Sequence, residues 1–435
     1  MRCLRGLLVL HVALCVFVWP AAALAAQQGA AAAWRRSSEL GTLQERVERL
    51  LPGETLELSP GRHEGPIAVR TPQVAIVGPR DAVVDGGGRG TVISVEAPGV
   101  RLEGFSVRGS GDSNTQVDAG VSVQGQRDVV LRNLHVADTL FGIDVGDSEE
   151  VRIEGCEISS RDVDVTMRGD AIRIWASRRV AVRDNFWHDA RDAVAWYSEA
   201  VVFERNRGVR SRYSVHSMYS EGLTIRENYF EDNSVGIFVM YGKGITVLDN
   251  EIRRSTGAAG IGLGMKETSN VYAEGNAIVY CATGIVVDNS PWDPGTKNWF
   301  HDNMLAFNGT GILLANDRDG NQFVRNVMRS NTVDVDTEDR RTSPSLWKGN
   351  YWDRYEGFDR DRDGVGDTPH APRKYGDLLT GAHPSARYFT GAPVLAMVGV
   401  IERLVPLTEP LLLLHDAEPR LSEPARRYGL SEARP

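Results

Sequence analysis

The sequence predicts an all-β fold, a right-handed parallel β-helix of about ten coils that are 21–30 residues long. Short apolar segments such as VVFERNR (201–207) and LTIRENYF (223–230) recur, with an asparagine or a glycine at one fixed place. The commonest spacing of these anchors is 22 residues, and a second short strand such as GIFV (236–239) follows the anchor. No unit could bury its apolar face alone, so the units must stack. Parallel connections are right-handed, and asparagine side chains can bond from coil to coil.

The N-terminus has the features of a Sec-type signal peptide. Arg2 and Arg5 precede an apolar run, and Ala23-Leu24-Ala25 follows it. The run is too short to span a bilayer, and the small residues predict cleavage after Ala25. We therefore expect a periplasmic protein.

The remaining chain divides into five segments by composition. A cap helix is expected at the N-terminal end, where an open β-helix would expose unpaired strand edge. An apolar segment near the C-terminus could either cap the last coil or dock to a partner, and a polar tail predicted to be disordered follows it. The predicted boundaries are 37–55 for the cap helix, 56–345 for the β-helix, 346–390 for an acidic block, 391–416 for the apolar segment and 417–435 for the tail.

Charge and cysteine content narrow the possible functions. Without Arg2 and Arg5, 47 of the 49 basic residues remain against 58 acidic ones, which gives a net charge of −11. Such a charge argues against nucleic acid as a partner. Cys156 and Cys281 are the two cysteines outside the signal peptide. Five coils would separate them by more than a disulfide can bridge, so we expect two buried thiols.

Strand alternation predicts two outward columns of large side chains. In GIFVMY, Ile237 and Val239 match inward apolar positions of other coils, so their neighbours must point outward. The first column reads Trp175, Trp196, Met218 and Met240, and the second reads Arg173, Val194, His216 and Phe238. Met265 and Lys266 lie in a longer coil whose register the sequence leaves ambiguous.

Three interpretations of these columns stay open. A loop or the C-terminal tail could cover them, they could form a protein-binding face, or their sulfur atoms could bind Cu(I), since soft ligands suit that ion. The last two can coexist. The candidate copper ligands are His216, Met218, Met240 and Met265, and the candidate interaction stripe is Arg173, Trp175, Trp196, Phe238 and Lys266.

The acidic block contains the start of a calcium-loop pattern, D-x-D-x-D-G. Asp359, Asp361, Asp363 and Asp367 are the candidate Ca²⁺ ligands. His370 stands where the bidentate glutamate of a complete loop would be. The alternative is an acidic turn balanced by neighbouring arginines.

A carbohydrate-active protein is the main rival class, because such proteins often use a β-helix. Its sites need paired carboxylates with a base, or aromatic side chains that stack on sugars, for which Trp175 and Trp196 are candidates. The sequence shows no outward groove that combines carboxylates with basic subsites. A purely structural scaffold is a third possibility. The charged candidates are Asp162, Asp164, Asp189, Asp192, Lys243 and Arg253.

Several segments together resemble the NosD family. They are GNYWDRYEGFDRDRDGVGDTP, the two Met-Tyr pairs, RGDAIRIW (168–175) and GIGLGMKET (260–268), and the resemblance extends from about residue 37 to 416. It implies a periplasmic maturation factor of nitrous oxide reductase, not an enzyme. It also implies that the protein works with the permease and the ATPase of an ABC transporter. The protein would receive Cu(I) from a lipid-anchored copper chaperone and act on the reductase apoprotein. By the same resemblance, residues 391–414 would meet the permease, and the protein would contact the membrane only through the permease.

Overall fold

Three parallel sheets run the length of the molecule in a computed structural model, which describes residues 41–339, 341–374, 389, 392–405, 409–424 and 428. Sheets 1 and 2 have 13 strands each and sheet 3 has 12. Each strand pairs with the strand three places later in the chain, so one coil contributes one strand to each sheet. The predicted parallel β-helix is confirmed, but it has about 13 coils, not ten. Two coils precede residue 100 without an asparagine anchor, and the last coil lies within the acidic block.

Sheet 1 consists of Thr55–Glu57, Ala75–Val77, Arg101–Glu103, Val130–Arg132, Arg152–Glu154, Ala181–Arg183, Val202–Glu204, Thr224–Arg226, Thr246–Leu248, Tyr272–Glu274, Asn298–His301, Asn321–Val324 and Leu346–Lys348. Sheet 2 consists of Gly61–Glu64, Ala82–Asp85, Ser106–Arg108, His135–Thr139, Glu157–Ser160, Phe186–His188, Arg207–Val209, Tyr229–Glu231, Glu251–Arg253, Ala277–Val279, Met304–Ala306, Val327–Arg329 and Tyr351–Trp352. Sheet 3 consists of Ile67–Val69, Ile93–Val95, Ala119–Gln124, Phe141–Gly146, Ile172–Trp175, Asp192–Trp196, Tyr213–Met218, Val235–Met240, Ile261–Lys266, Thr283–Asp288, Thr310–Ala315 and Val333–Thr337.

A ladder of buried asparagines lines the turn between sheets 1 and 2. Each side-chain amide nitrogen donates to the amide oxygen of the next asparagine at 2.8–3.1 Å. These bonds satisfy polar groups that would otherwise be costly to bury. The ladder comprises Asn185, Asn206, Asn228, Asn250, Asn276, Asn303, Asn326 and Asn350. Cys156 and Cys281 are free and buried, as the sequence predicts.

A short helix, α1 (Leu43–Glu48), covers the N-terminal end of the β-helix. Thr42 and Glu45 form a capping box, and Leu43 and Val47 are buried in the core. The helix is shorter than the expected 37–55, because Thr42 caps its start and a turn at Pro52 leads into the first strand at Thr55; residues 37–40 lie outside the described residues. The predicted signal peptide also lies outside the described residues.

The C-terminal end of the β-helix differs from the expected boundary. Leu346–Lys348 and Tyr351–Trp352 pair in parallel with the preceding coil, so the β-helix continues beyond residue 345 to Trp352. Leu411–Leu412 returns to this end and pairs antiparallel with Arg373–Lys374. Residues 417–424 of the predicted disordered tail lie against the last coil, where the Arg420 N–H donates to the Asn350 carbonyl.

The apolar segment therefore has two parts with different environments. Leu413 and Leu414 are buried and cap the last coil. Helix α2 (Pro393–Leu404) instead has exposed apolar side chains, among them Val394, Met397 and Ile401. No helix among the described residues is long and apolar enough to cross a membrane.

Candidate functional site

The outward face of sheet 3 brings the first predicted column together. Trp175 pairs with Trp196, Trp196 with Met218 and Met218 with Met240, on successive strands. Adjacent strands lie about 4.8 Å apart, so the two thioethers are neighbours on one face. Both methionines are half-buried. The register thus places two soft sulfur atoms side by side at the surface.

Met265 does not belong to this column, and its prediction as a copper ligand is wrong. It pairs with Val239 and is completely buried in the core, whereas Lys266 pairs with Met240 and points outward. The loop between Arg253 and Ile261 takes up the extra residues of this longer coil. The sequence could not show how many of them the loop absorbs, and a shift of one residue reverses the face.

His216 lies on the same face as Met218 but is enclosed by aromatic rings. Its ring stacks on Tyr213 at 4.6 Å and meets the edge of Trp196 at 5.5 Å. Its Nδ1 is 3.5 Å from Asp192 Oδ2. Among the described residues, Nε2 has no hydrogen-bond partner and Nδ1 has only this approach to Asp192, although the residue is only 8% exposed. Such unsatisfied groups are costly, and their occurrence here leaves a nitrogen available to a ligand.

Two buried carboxylates and two arginines support the strands that carry these residues. Asp170 accepts from Arg191 at 2.9 Å, and Asp192 accepts from Arg212. Burial and the nearby Asp192 charge raise the pKa of Asp170. Burial also opposes the charge on Asp192, but His216 and Arg212 hold the pKa of that carboxyl below its usual value. The network positions His216 by charge and packing.

The residues of the predicted interaction stripe are held by local contacts. Arg173 pairs with Asp144 at 2.7 Å and lies over the Trp175 ring at 4.6 Å. Lys266 is 3.5 Å from Asp288. Phe238 lies over Gly264, where a side chain would collide with its ring. The stripe is thus an ordered surface whose charges are largely paired.

A stack of tyrosines beside the methionines was missed in the sequence. Tyr197 stacks on Tyr219 at 5.1 Å, and Tyr219 stacks on Tyr241 at 4.8 Å. Each tyrosine follows its strand in a left-handed backbone conformation. The repeated tyrosine of the Met-Tyr pairs could have indicated this stack. Strand alternation did not predict it, because each tyrosine lies one residue beyond the end of its strand.

The acidic loop groups three of the four predicted calcium ligands. Carboxylate oxygens of Asp359, Asp361 and Asp363 lie within 4.8 Å of one another. Asp367 is outside this group and accepts from the Arg360 N–H at 2.6 Å. His370 stacks on Trp352 at 4.6 Å instead of facing the loop. Calcium binding by the loop stays a prediction, now centred on the three grouped carboxylates.

The charged residues of the rival carbohydrate interpretation have separate structural partners. Asp189 pairs with His188 and Arg210, Asp164 caps a 3-10 helix at Val165–Met167, and Lys243 is 3.9 Å from Glu221. Asp192 belongs to the buried network of Asp170, Arg212 and His216, so it shares no partner with these three residues.

Fold and site together define a parallel β-helix protein with a surface column of aromatic and thioether side chains. Residues 154–357 match the family model described as "Periplasmic copper-binding protein (NosD)". A protein from Pseudomonas aeruginosa named "Probable ABC transporter binding protein NosD" is 30% identical over 394 residues, which cover 83% of this chain and 89% of that protein. The chain therefore belongs to the NosD family.

Two further comparisons agree with the family and the fold. A protein of the same name from Stutzerimonas stutzeri is 26% identical over 368 residues, or 80% of this chain and 83% of that protein. The mannuronan C-5 epimerase AlgE6 A-module of Azotobacter vinelandii superposes with a TM-score of 0.55 at 15% identity, covering 68% of this chain and 90% of that chain. At this identity the likeness concerns the fold alone.

Proposed function

We propose that this protein acts in the periplasm as an accessory factor in copper-centre assembly of nitrous oxide reductase, and that it carries Cu(I) on the outward face of sheet 3. The observation that carries the proposal is the pairing of Met218 with Met240, next to His216, whose Nε2 has no hydrogen-bond partner in the described part of the chain. Thioether and imidazole ligands suit Cu(I). Membership of a family described as copper-binding supports the same assignment.

The surface position of these ligands fits a transient cargo. Met218 and Met240 are half-buried, so a partner can reach the sulfur atoms. A lipid-anchored copper chaperone would deliver Cu(I) there, and the reductase apoprotein would receive it. The protein itself supplies binding and orientation and is not an enzyme.

Helix α2 would provide the contact with the permease of an ABC transporter, whose ATPase lies on the other side of the membrane. Its exposed apolar side chains, including Val394, Met397 and Ile401, support this role, because such patches mark interaction sites. The relatives named as ABC transporter binding proteins support the partner class. Deletion of residues 393–404 should abolish co-purification with the permease and leave Cu(I) binding intact.

The proposed function is tested by the copper content of the reductase. Cells that carry Met218→Leu and Met240→Leu together should export the protein normally but produce reductase depleted in copper. Cells that carry Met265→Leu serve as the control and should produce copper-replete reductase. Equal copper content in both strains would contradict the proposal.

A further inference from the structure

A cleft of about 480 Å³ opens beside the tyrosine stack, immediately after Met240 in the chain. Tyr219, Tyr241, Glu267, Trp292 and Asp293 are among the residues that line it. The proposed copper role uses none of these residues.

The tyrosine stack ends inside this cleft. Tyr219 has a ring on each face, since Tyr197 and Tyr241 stack on it at 5.1 Å and 4.8 Å. No further ring in the described part of the chain stacks on the other face of Tyr241. Met240 pairs with Lys266 on the next coil. The residue after Lys266, Glu267, therefore lies beside Tyr241 on that coil. A planar group placed over Tyr241 would therefore lie next to a carboxylate.

The charge of the cleft favours a cation. Neither Glu267 nor Asp293 has an ion-pair partner among the residues described, and Lys243 lies 3.9 Å from a third carboxylate, Glu221. One of the lining residues, Trp292, already carries a guanidinium, because Arg318 lies over its ring at 4.7 Å. Aromatic faces and carboxylates together attract cationic side chains.

We infer that this cleft binds an arginine side chain of a protein partner, with the guanidinium stacked on Tyr241 and donating to Glu267 and Asp293. Arginine fits better than lysine, because a planar guanidinium can stack and form directed hydrogen bonds at the same time. An acidic sugar is less suited, because the carboxylates of Glu267 and Asp293, which line the cleft, would repel it. This proposal rests on the proposed function, since a partner docked in the cleft would lie directly over Met240.

The test uses the purified exported protein and a fluorescein-labelled hexa-arginine peptide, with binding followed by anisotropy at physiological salt. Tyr241→Leu and Glu267→Gln should each raise the dissociation constant at least fivefold, whereas Tyr241→Phe should bind like the parent. Glu227→Gln is the matched control, because it removes one exposed carboxylate from the turn after sheet 1. Hexa-lysine should bind at least threefold more weakly than hexa-arginine.

Two results would overturn the inference. One is equal binding by the Tyr241→Leu, Glu267→Gln and Glu227→Gln variants, which would show attraction by net charge alone. The other is binding of mannuronate oligomers that is lost in Tyr241→Leu, which would assign the cleft to sugars. Cu(I) titration of Glu267→Gln separates the two proposals, because this variant should bind copper normally even where it fails to bind the peptide.

Discussion

The Asp416 carboxylate occupies the next place in the asparagine ladder after Asn350, whose side-chain amide donates to Asp416 Oδ2 at 2.9 Å. The same carboxylate accepts from the backbone N–H groups of Gly349 and Asn350 and from the Trp352 indole. Asp416 is fully buried. A residue of the returning C-terminal segment thus accepts the hydrogen bonds of the donors left at the open end of the β-helix.

Asp416→Ala should reduce the free energy of unfolding by about 3 kcal/mol or more, because it leaves four buried donors without an acceptor. Urea unfolding monitored by circular dichroism measures the change. Glu418→Ala is the control, since Glu418 forms an exposed pair with Lys348 and such pairs contribute at most about 1 kcal/mol. Equal stability of the two variants would refute a capping role for Asp416.

Met218→Leu and Met240→Leu should each weaken Cu(I) binding at least tenfold. Leucine keeps the volume and apolar packing of methionine but removes the sulfur ligand. Anaerobic competition with a chromophoric Cu(I) chelator measures the affinity. Met265→Leu removes a sulfur atom from the core, not from the column, and should leave the affinity unchanged. If all three variants bind Cu(I) like the parent, the sulfur site is wrong.

His370 should make the folded protein sensitive to acid. Burial lowers its pKa from 6.5 to about 4, against the opposing effect of the Asp416 charge. The unfolded chain therefore takes up a proton first, so stability is lost as the pH falls from 6.5 towards 4, by up to about 3 kcal/mol.

His370→Gln provides the comparison, because glutamine does not titrate. Urea unfolding at several pH values should give a shallower loss of stability for this variant than for the parent between pH 6.5 and 4. Parallel curves for the two proteins would show that His370 does not contribute to the acid sensitivity.

Calcium should bind at the loop that contains Asp359, Asp361 and Asp363. The neighbouring Asp359 and Asp363 carboxylates raise the pKa of Asp361, and a bound cation would relieve this repulsion. Titration calorimetry with Ca²⁺ should give a binding isotherm that weakens on acidification and is lost in Asp361→Asn. Asp81→Asn, at an exposed turn in the second coil, should bind like the parent. If the parent protein gives no heat of binding with Ca²⁺, the loop is an acidic turn and not a calcium site.

The spacing of the repeats predicts which residues pair on neighbouring coils, because it gives the length of each coil. The alternation of apolar and polar residues predicts which side chains face outward, because successive side chains of a strand point to opposite faces. Met218, Met240, Trp175 and Trp196 meet as expected for this reason. Met265 could not be assigned, because the preceding loop has a different length. The contact between Asp416 and Asn350 joins residues 66 positions apart in the chain, and no repeat extends to Asp416.

The longer coil before Lys266 shows how this molecule tolerates changes in length. Its additional residues leave the strand pairing intact, since Met240 and Lys266 are direct neighbours. Loops at the corners could therefore lengthen during evolution without disturbing the surface of sheet 3. A single residue gained within the strand Val235–Met240 would instead turn Met240 into the core and interrupt the column. The outward face of sheet 3 should thus accept large insertions at the corners and reject small ones within the strands.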